Sequence, residues 1–179
     1  LIGHVLDGGV DGLLACGTTG EAPTLTMAEW ESVVSTCVTE SRGKPVIAGT
    51  GSNDTLAVVE KTQRARELGA TAALVVSPYY NKPSPAGLIA HYTRVADEGG
   101  LPIILYNVPS RTGSNMSPEV VEFLSNHPQI VGIKDAAGSV DQFGELLRRC
   151  GPAFSVFSGD DSLALPLYAL GGHGAITTV

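Results

Sequence analysis

No Cys-x-x-Cys occurs in this sequence, no two histidines stand at metal-ligand spacing, and no apolar run reaches the length of a membrane span. The three cysteines, Cys16, Cys37 and Cys150, are odd in number and far apart. That argues against a disulfide framework or a zinc ribbon, and for a reducing compartment. His4, His91, His127 and His173 are scattered, so a histidine metal site has no local support. Basic residues are scarce: 11 Lys and Arg stand against 18 Asp and Glu, a net charge of −7 without a basic patch. Nucleic acid is therefore not an expected partner. The 22 glycines keep no three-residue period, which excludes collagen. No signal peptide is visible, and the chain begins Leu-Ile-Gly rather than Met, so a targeting segment ahead of it stays open.

What is present is an apolar fraction of 43% over 179 residues, enough for a sizeable core in a chain of about one domain. Short apolar runs alternate with helical patterns. The runs are Gly12–Cys16, Pro45–Gly49, Ala72–Ser77, Pro102–Val108, Ile130–Lys134, Phe154–Ser158 and His173–Val179. Most are nearly continuous in apolar residues, as parallel strands buried on both faces require. Between them lie helix signals. Thr26 and Glu29 fit a capping box ahead of an apolar stripe of Met27, Trp30, Val33, Val34, Cys37 and Val38. Asn53 or Asp54 caps a helix that ends at Gly69, and Ser84-Pro85 and Ser117-Pro118 place Ser at the cap and Pro in the first turn. Ser139 opens a helix closed by Gly151, and Asp160, Asp161 or Ser162 opens a short one ending at Gly171-Gly172.

This pattern predicts an α/β fold of seven strands and seven helices, beginning on the tail of a helix at Leu1 to Leu6. A helix in that place normally follows a strand, and restoring one strand gives the eight of a closed (β/α)8, or TIM, barrel. An open doubly wound sheet is the alternative, but its Gly-x-Gly-x-x-Gly fingerprint is not found. The expectation is a single, partial barrel domain over residues 1–179, lacking strand one and anything beyond strand eight, and poorly stable if expressed alone because two strand edges stay unpaired.

Barrel active sites gather at the carboxyl ends of the strands. Six such ends here are rich in functional groups: residues 17–21 (Gly-Thr-Thr-Gly-Glu), 49–53, 78–81, 106–113, 134–138 and 158–161. Each alone reads equally well as turn glycines and capping hydroxyls. Lys134, ending the run Ile130 to Ile133, is either a solvated strand end or a desolvated amine able to form a Schiff base with a ketone. Tyr106 ends the preceding strand, roughly 5 Å away; it is either a buried aromatic with a satisfied hydroxyl or a proton shuttle. Arg111 is either a surface charge or a bidentate clamp for a carboxylate. Thr18 and Thr19 offer hydroxyls and, with their flanking glycines, exposed N–H groups suited to a carboxylate. Glu21 either adds charge or orients the loop.

Five motifs together carry a resemblance: Gly-Thr-Thr-Gly-Glu at 17–21, Pro-Tyr-Tyr-Asn-Lys-Pro-Ser at 78–84, Tyr-Asn-Val-Pro-Ser-Arg-Thr-Gly at 106–113, Ile-Lys-Asp-Ala-Ala-Gly at 133–138 and Ser-Gly-Asp-Asp at 158–161. In order and spacing the chain resembles the dihydrodipicolinate synthase family of pyruvate-dependent class I aldolases. The resemblance implies a β/α barrel with a small C-terminal helical domain, which this chain lacks, and assembly as a homotetramer of tight dimers. It implies that Lys134 forms an imine with pyruvate, with no other cofactor, and that Tyr106 relays protons. Thr18 would join Tyr106 to Tyr80 from the adjacent subunit. Thr19 would bind the pyruvate carboxylate, and Arg111 the carboxylate of aspartate semialdehyde. Gly159 would lie in the substrate site, and Ile176 would present its carbonyl near the lysine. The implied location is the bacterial cytoplasm, with a plastid left open by the missing N-terminus.

N-acetylneuraminate lyases and keto-deoxy-sugar aldolases share the barrel, lysine and tyrosine, and a non-catalytic barrel that binds a small acid is a third reading. Thr18-Thr19 and Arg111 favour the synthase, because a guanidinium suits a short carboxylated aldehyde better than a neutral polyol. Some synthases bind lysine as an inhibitor near the dimer interface. Asn53 and Tyr79 fit that pattern, but Met27, Trp30 and Ala57 replace its His, His and Glu, which implies weak or absent lysine inhibition.

Overall fold

The structure is a computed structural model that describes residues 1–178. Fifteen elements alternate along the chain: α1 (Ile2–Asp7), β1 (Leu13–Ala15), α2 (Met27–Glu40), β2 (Val46–Gly49), α3 (Thr55–Glu67), β3 (Ala72–Val76), α4 (Pro85–Gly99), β4 (Ile103–Asn107), α5 (Pro109–Thr112), α6 (Pro118–Ser125), β5 (Ile130–Asp135), α7 (Val140–Cys150), β6 (Ser155–Ser158), α8 (Ala164–Ala169) and β7 (Gly174–Ala175). The strands form one parallel sheet in sequence order, β1 to β7. It curls into an incomplete barrel wall, with β1 and β7 at its edges among the described residues. No helix among them is long and apolar enough to cross a membrane.

The local signals explain the helices. Thr26 Oγ1 accepts the Glu29 N–H, and Glu29 Oε2 accepts the Thr26 N–H at 2.8 Å, so the capping box forms. Asp54, not Asn53, caps α3 by accepting the N–H groups of Leu56 and Ala57. Ser84 and Ser139 cap α4 and α7 by the same means. In α2 the buried stripe is narrower than the pattern predicts. Trp30 and Val34 are buried, whereas Met27 lies in the first turn and Val33 one step off the stripe, and both are exposed.

Two corrections concern the strand ends. The strand end at 106–113 contains a short helix, α5, which the seven helices read from the sequence do not include. The last run forms a strand only at Gly174–Ala175, paired to Phe157 and Ser158. Beyond it Thr177 turns its hydroxyl to Asp161 and Thr178 to Thr19, so side chains replace the strand ladder. Val179, the end of the expected run, lies outside the described residues.

Alternation along the strands divides the apolar residues in two. Ala73, Val75, Ile103, Leu105, Ile133 and Val156 face the helices and join the large core with Trp30, Tyr92, Phe143 and Leu146. The opposite, concave face carries a small cluster of Ala72, Leu74, Ile104, Tyr106 and Val108. That cluster forms the floor beneath the candidate site.

Candidate active site

Tyr106 and Lys134 are register partners on β4 and β5, so both point to the concave face. The Lys134 Nζ lies 4.6 Å from the centroid of the Tyr106 ring. Only 9% of Lys134 is exposed. Two effects oppose each other on this amine. Burial disfavours the ammonium and lowers the pKa; the charge of Asp161 favours it. Burial dominates, so the pKa lies below the ordinary lysine value and the neutral, nucleophilic fraction rises. The surrounding backbone is fixed. The Tyr106 carbonyl accepts both the N–H and the hydroxyl of Ser77, at 2.9 and 3.1 Å. Just past Lys134, the Ala136 N–H donates to Asn107 O, and the Gly159 N–H to Asp135 O, each at 2.8 Å.

The strand-end loops close around this pair to form a cavity of about 370 Å³. Thr18 and Thr19 enter it from a 3₁₀ turn, Thr18–Gly20, that follows β1. Arg111 enters from α5, is exposed, and makes no ion pair among the described residues. Ile176 follows β7, and its N–H donates to Ser158 O at 2.9 Å. Gly159 has a steric reason to be glycine. A Cβ there would stand 2.8 Å from Lys134 Cε and 2.9 Å from the Ala136 Cβ, in the space the catalytic-candidate side chain needs.

Seven of the eight expected residues therefore share one cavity: Lys134, Tyr106, Thr18, Thr19, Arg111, Gly159 and Ile176. Tyr80 does not. It is 90% exposed, adopts a φ of +73°, and stands outside the cavity. Glu21 is also absent from the lining; its own φ of +51° links two successive 3₁₀ turns, so it shapes the loop. The sequence marks Asp160 and Asp161 as a possible helix start and as part of the polar strand end at 158–161, without a role for either toward the lysine. Asp160 does cap the turn at Asp161–Leu163, but both aspartates line the cavity, and Asp161 is the carboxylate that acts on Lys134. Two adjacent acids directly after a strand end were the available signal.

A partly neutral amine beside a phenol, with hydroxyls and a free guanidinium within the same cavity, can add to a carbonyl and hold carboxylates around it. Fold and site thus define an α/β-barrel wall built around a desolvated lysine. Comparison with known proteins agrees. The profile of the dihydrodipicolinate synthetase family matches residues 1–179, and the chain belongs to that family. It is 48% identical over 181 residues to the 4-hydroxy-tetrahydrodipicolinate synthase of Maridesulfovibrio salexigens, covering 100% of this chain and 62% of that one. The enzyme of the same name from Thermodesulfovibrio yellowstonii is 52% identical over 175 residues, covering 97% and 60%. Among solved structures, the dihydrodipicolinate synthase of Aquifex aeolicus superposes with a TM-score of 0.94 at 47% identity, over 98% of this chain and 60% of that one. The chloride-inhibited synthase of Acinetobacter baumannii, complexed with pyruvate, gives 0.96 at 43% identity, over 99% and 61%. The chain thus spans about 60% of the length of the relatives it matches.

Proposed function

We propose that this chain carries the catalytic lysine of a synthase that condenses pyruvate with L-aspartate 4-semialdehyde to give 4-hydroxy-tetrahydrodipicolinate, toward diaminopimelate and lysine. The single observation behind this reading is the desolvated Lys134 amine over the Tyr106 ring, inside a cavity that also holds Thr18, Thr19 and Arg111. The neutral amine attacks the pyruvate ketone carbon. The carbinolamine hydroxyl then leaves as water, with Tyr106 supplying its proton. Loss of a methyl proton turns the protonated imine into an enamine, whose carbon adds to the aldehyde. The amino group of the adduct next attacks the imine carbon and releases Lys134, closing the ring. Thr19 holds the pyruvate carboxylate and Arg111 that of the semialdehyde. In this reading the Ile176 carbonyl serves as an acceptor for the amine, and Gly159 leaves room for the lysine stem.

The exposed Tyr80 fits a hydroxyl that completes the relay through Thr18 in an adjacent subunit, within a homotetramer of tight dimers in the cytoplasm. Lysine inhibition is weak or absent. In support, Trp30 is buried with its indole N–H donated to Gly49 O at 3.1 Å, and Ala57 offers no carboxylate for an inhibitor's amine. A micromolar inhibition constant for lysine would contradict this.

The function is tested by supplying the protein with pyruvate and aspartate semialdehyde together and, in separate assays, with sialic acid or with keto-deoxy sugar acids. Turnover of the semialdehyde at least about a hundredfold above the sugars supports the synthase. Preference for a sugar acid would make it another pyruvate aldolase, and binding without turnover of any of them a non-catalytic barrel.

A further inference from the structure

We infer that a closed ring of four side chains, Asn107, Asp135, Gln142 and Asn115, is a positioning device that fixes the Arg111 loop to the strand carrying Lys134 and thereby sets the affinity for the second substrate. The inference rests on the reading of Arg111 as the clamp for that substrate's carboxylate.

The ring lies on the helix side of the sheet, behind the cavity. Asn107 ends β4, directly after Tyr106, and Asp135 ends β5, directly after Lys134; the two are register partners. Asn107 Nδ2 donates to Asp135 Oδ1 at 2.7 Å and to Asn115 Oδ1 at 2.8 Å. Gln142 Nε2 donates to Asp135 Oδ2 at 3.1 Å, and Asn115 Nδ2 donates to Gln142 Oε1 at 2.9 Å, which closes the circle. Asn107 has one oxygen left, and it accepts the Met116 N–H at 3.0 Å. Asn107 and Asp135 are fully buried, so removal of any partner would leave a buried polar group unsatisfied.

The circle spans the neck of one loop. The chain leaves the sheet after Asn107, forms α5 with Arg111 in it, turns at Gly113 with a φ of +75°, and returns at Asn115 and the buried Met116. Within the loop, Thr112 Oγ1 lies 3.2 Å from Val108 O and 2.9 Å from Ser114 O. The outgoing end, the returning end, the lysine strand and the first turn of α7 thus meet at four side chains. Gln142 is informative. It is the third residue of α7, its own N–H held by the Ser139 cap at 3.2 Å, a place from which a Gln side chain often returns to the cap backbone. Here it turns to Asp135 and Asn115 instead. None of the four lines the cavity, so their effect on substrate passes through Arg111 and the backbone of β5.

Asn115 is exposed and Gln142 half-buried, so Asn115→Ala and Gln142→Ala leave the core intact. The test measures three quantities in wild type, both single variants and the double variant: KM for aspartate semialdehyde, the rate of borohydride trapping of pyruvate on Lys134, and amide hydrogen exchange. Each single variant is expected to raise KM for the semialdehyde about tenfold while changing the trapping rate less than about twofold. The double variant is expected to be no worse than the weaker single, because the ring is already open. Exchange should quicken in residues 109–116 and stay unchanged in 130–135. An unmoved KM, parallel loss of trapping, additive effects or unchanged exchange at 109–116 would each overturn the inference. Absence of a pyruvate adduct in the wild type would instead defeat the reading of Lys134, and the exchange contrast would still decide whether the ring holds the loop.

Discussion

Among the described residues two lysines sit over aromatic rings, and only one of them lines the candidate cavity. Lys134 lies 4.6 Å from the Tyr106 centroid, and Lys61 lies 4.9 Å from that of Trp30. Burial lowers the pKa of both. A cation over a ring is stabilised by roughly 0.5–2 kcal/mol, so the aromatic contact opposes burial in each case. The difference is in what else is present. Lys134 shares its space with Thr18, Thr19, Arg111 and Asp161. Lys61 lies behind the sheet near Cys16, whose thiol burial pushes up to about 11, and it is not among the residues lining the cavity. The Trp30 indole N–H is committed to the Gly49 carbonyl, so that ring supports the fold and offers no proton to a reaction. A desolvated amine is therefore not enough for covalent chemistry; it needs an electrophile's place, an acid beside it and groups that hold the substrate.

The comparison can be broken most decisively by removing one amine. Lys134→Ala is expected to lower turnover by about a thousandfold or more and to abolish pyruvate trapping, as read by steady-state kinetics and intact mass. Tyr106→Phe keeps the ring beneath the amine and removes the acid. It is expected to slow turnover about a hundredfold while leaving a trappable imine that forms more slowly. Gly159→Ala places a methyl group against the Lys134 stem and the Ala136 Cβ, so trapping should slow about tenfold with a fall of a few degrees in melting temperature. Lys61→Met is expected to change trapping and turnover less than about twofold. A large loss in that variant would mean that the two lysines are not functionally distinct.

The sequence reading succeeded where the physics is local. Thr26 with Glu29, Ser84 and Ser139 cap their helices through contacts three residues apart, and such contacts are written in the chain order. Strand ends were legible because parallel strands buried on both faces read as unbroken apolar runs that stop at polar clusters. Lys134 and Tyr106 followed from their places at two such ends. What was not legible depends on distant partners. Asp161 reaches the lysine's field only because β5 and β6 pair with Asp135 opposite Ser158. The ring from Asn107 to Gln142 spans four segments, and no spacing rule announces it. The final strand is shorter than its apolar run predicts because Thr177 and Thr178 bond sideways to Asp161 and Thr19. Tyr80 was placed in the relay by resemblance, and within this single chain it stands in solvent.

The most direct test is site-resolved trapping across pH. The protein is incubated with pyruvate and borohydride from neutral to alkaline pH, and peptides carrying Lys134 and Lys61 are quantified by mass spectrometry. A lowered amine pKa predicts an adduct on Lys134 alone, with a rate that rises with pH and levels off below 10.5. An adduct shared with Lys61, or a Lys134 rate still climbing through 10.5 as for a solvated lysine, would contradict it.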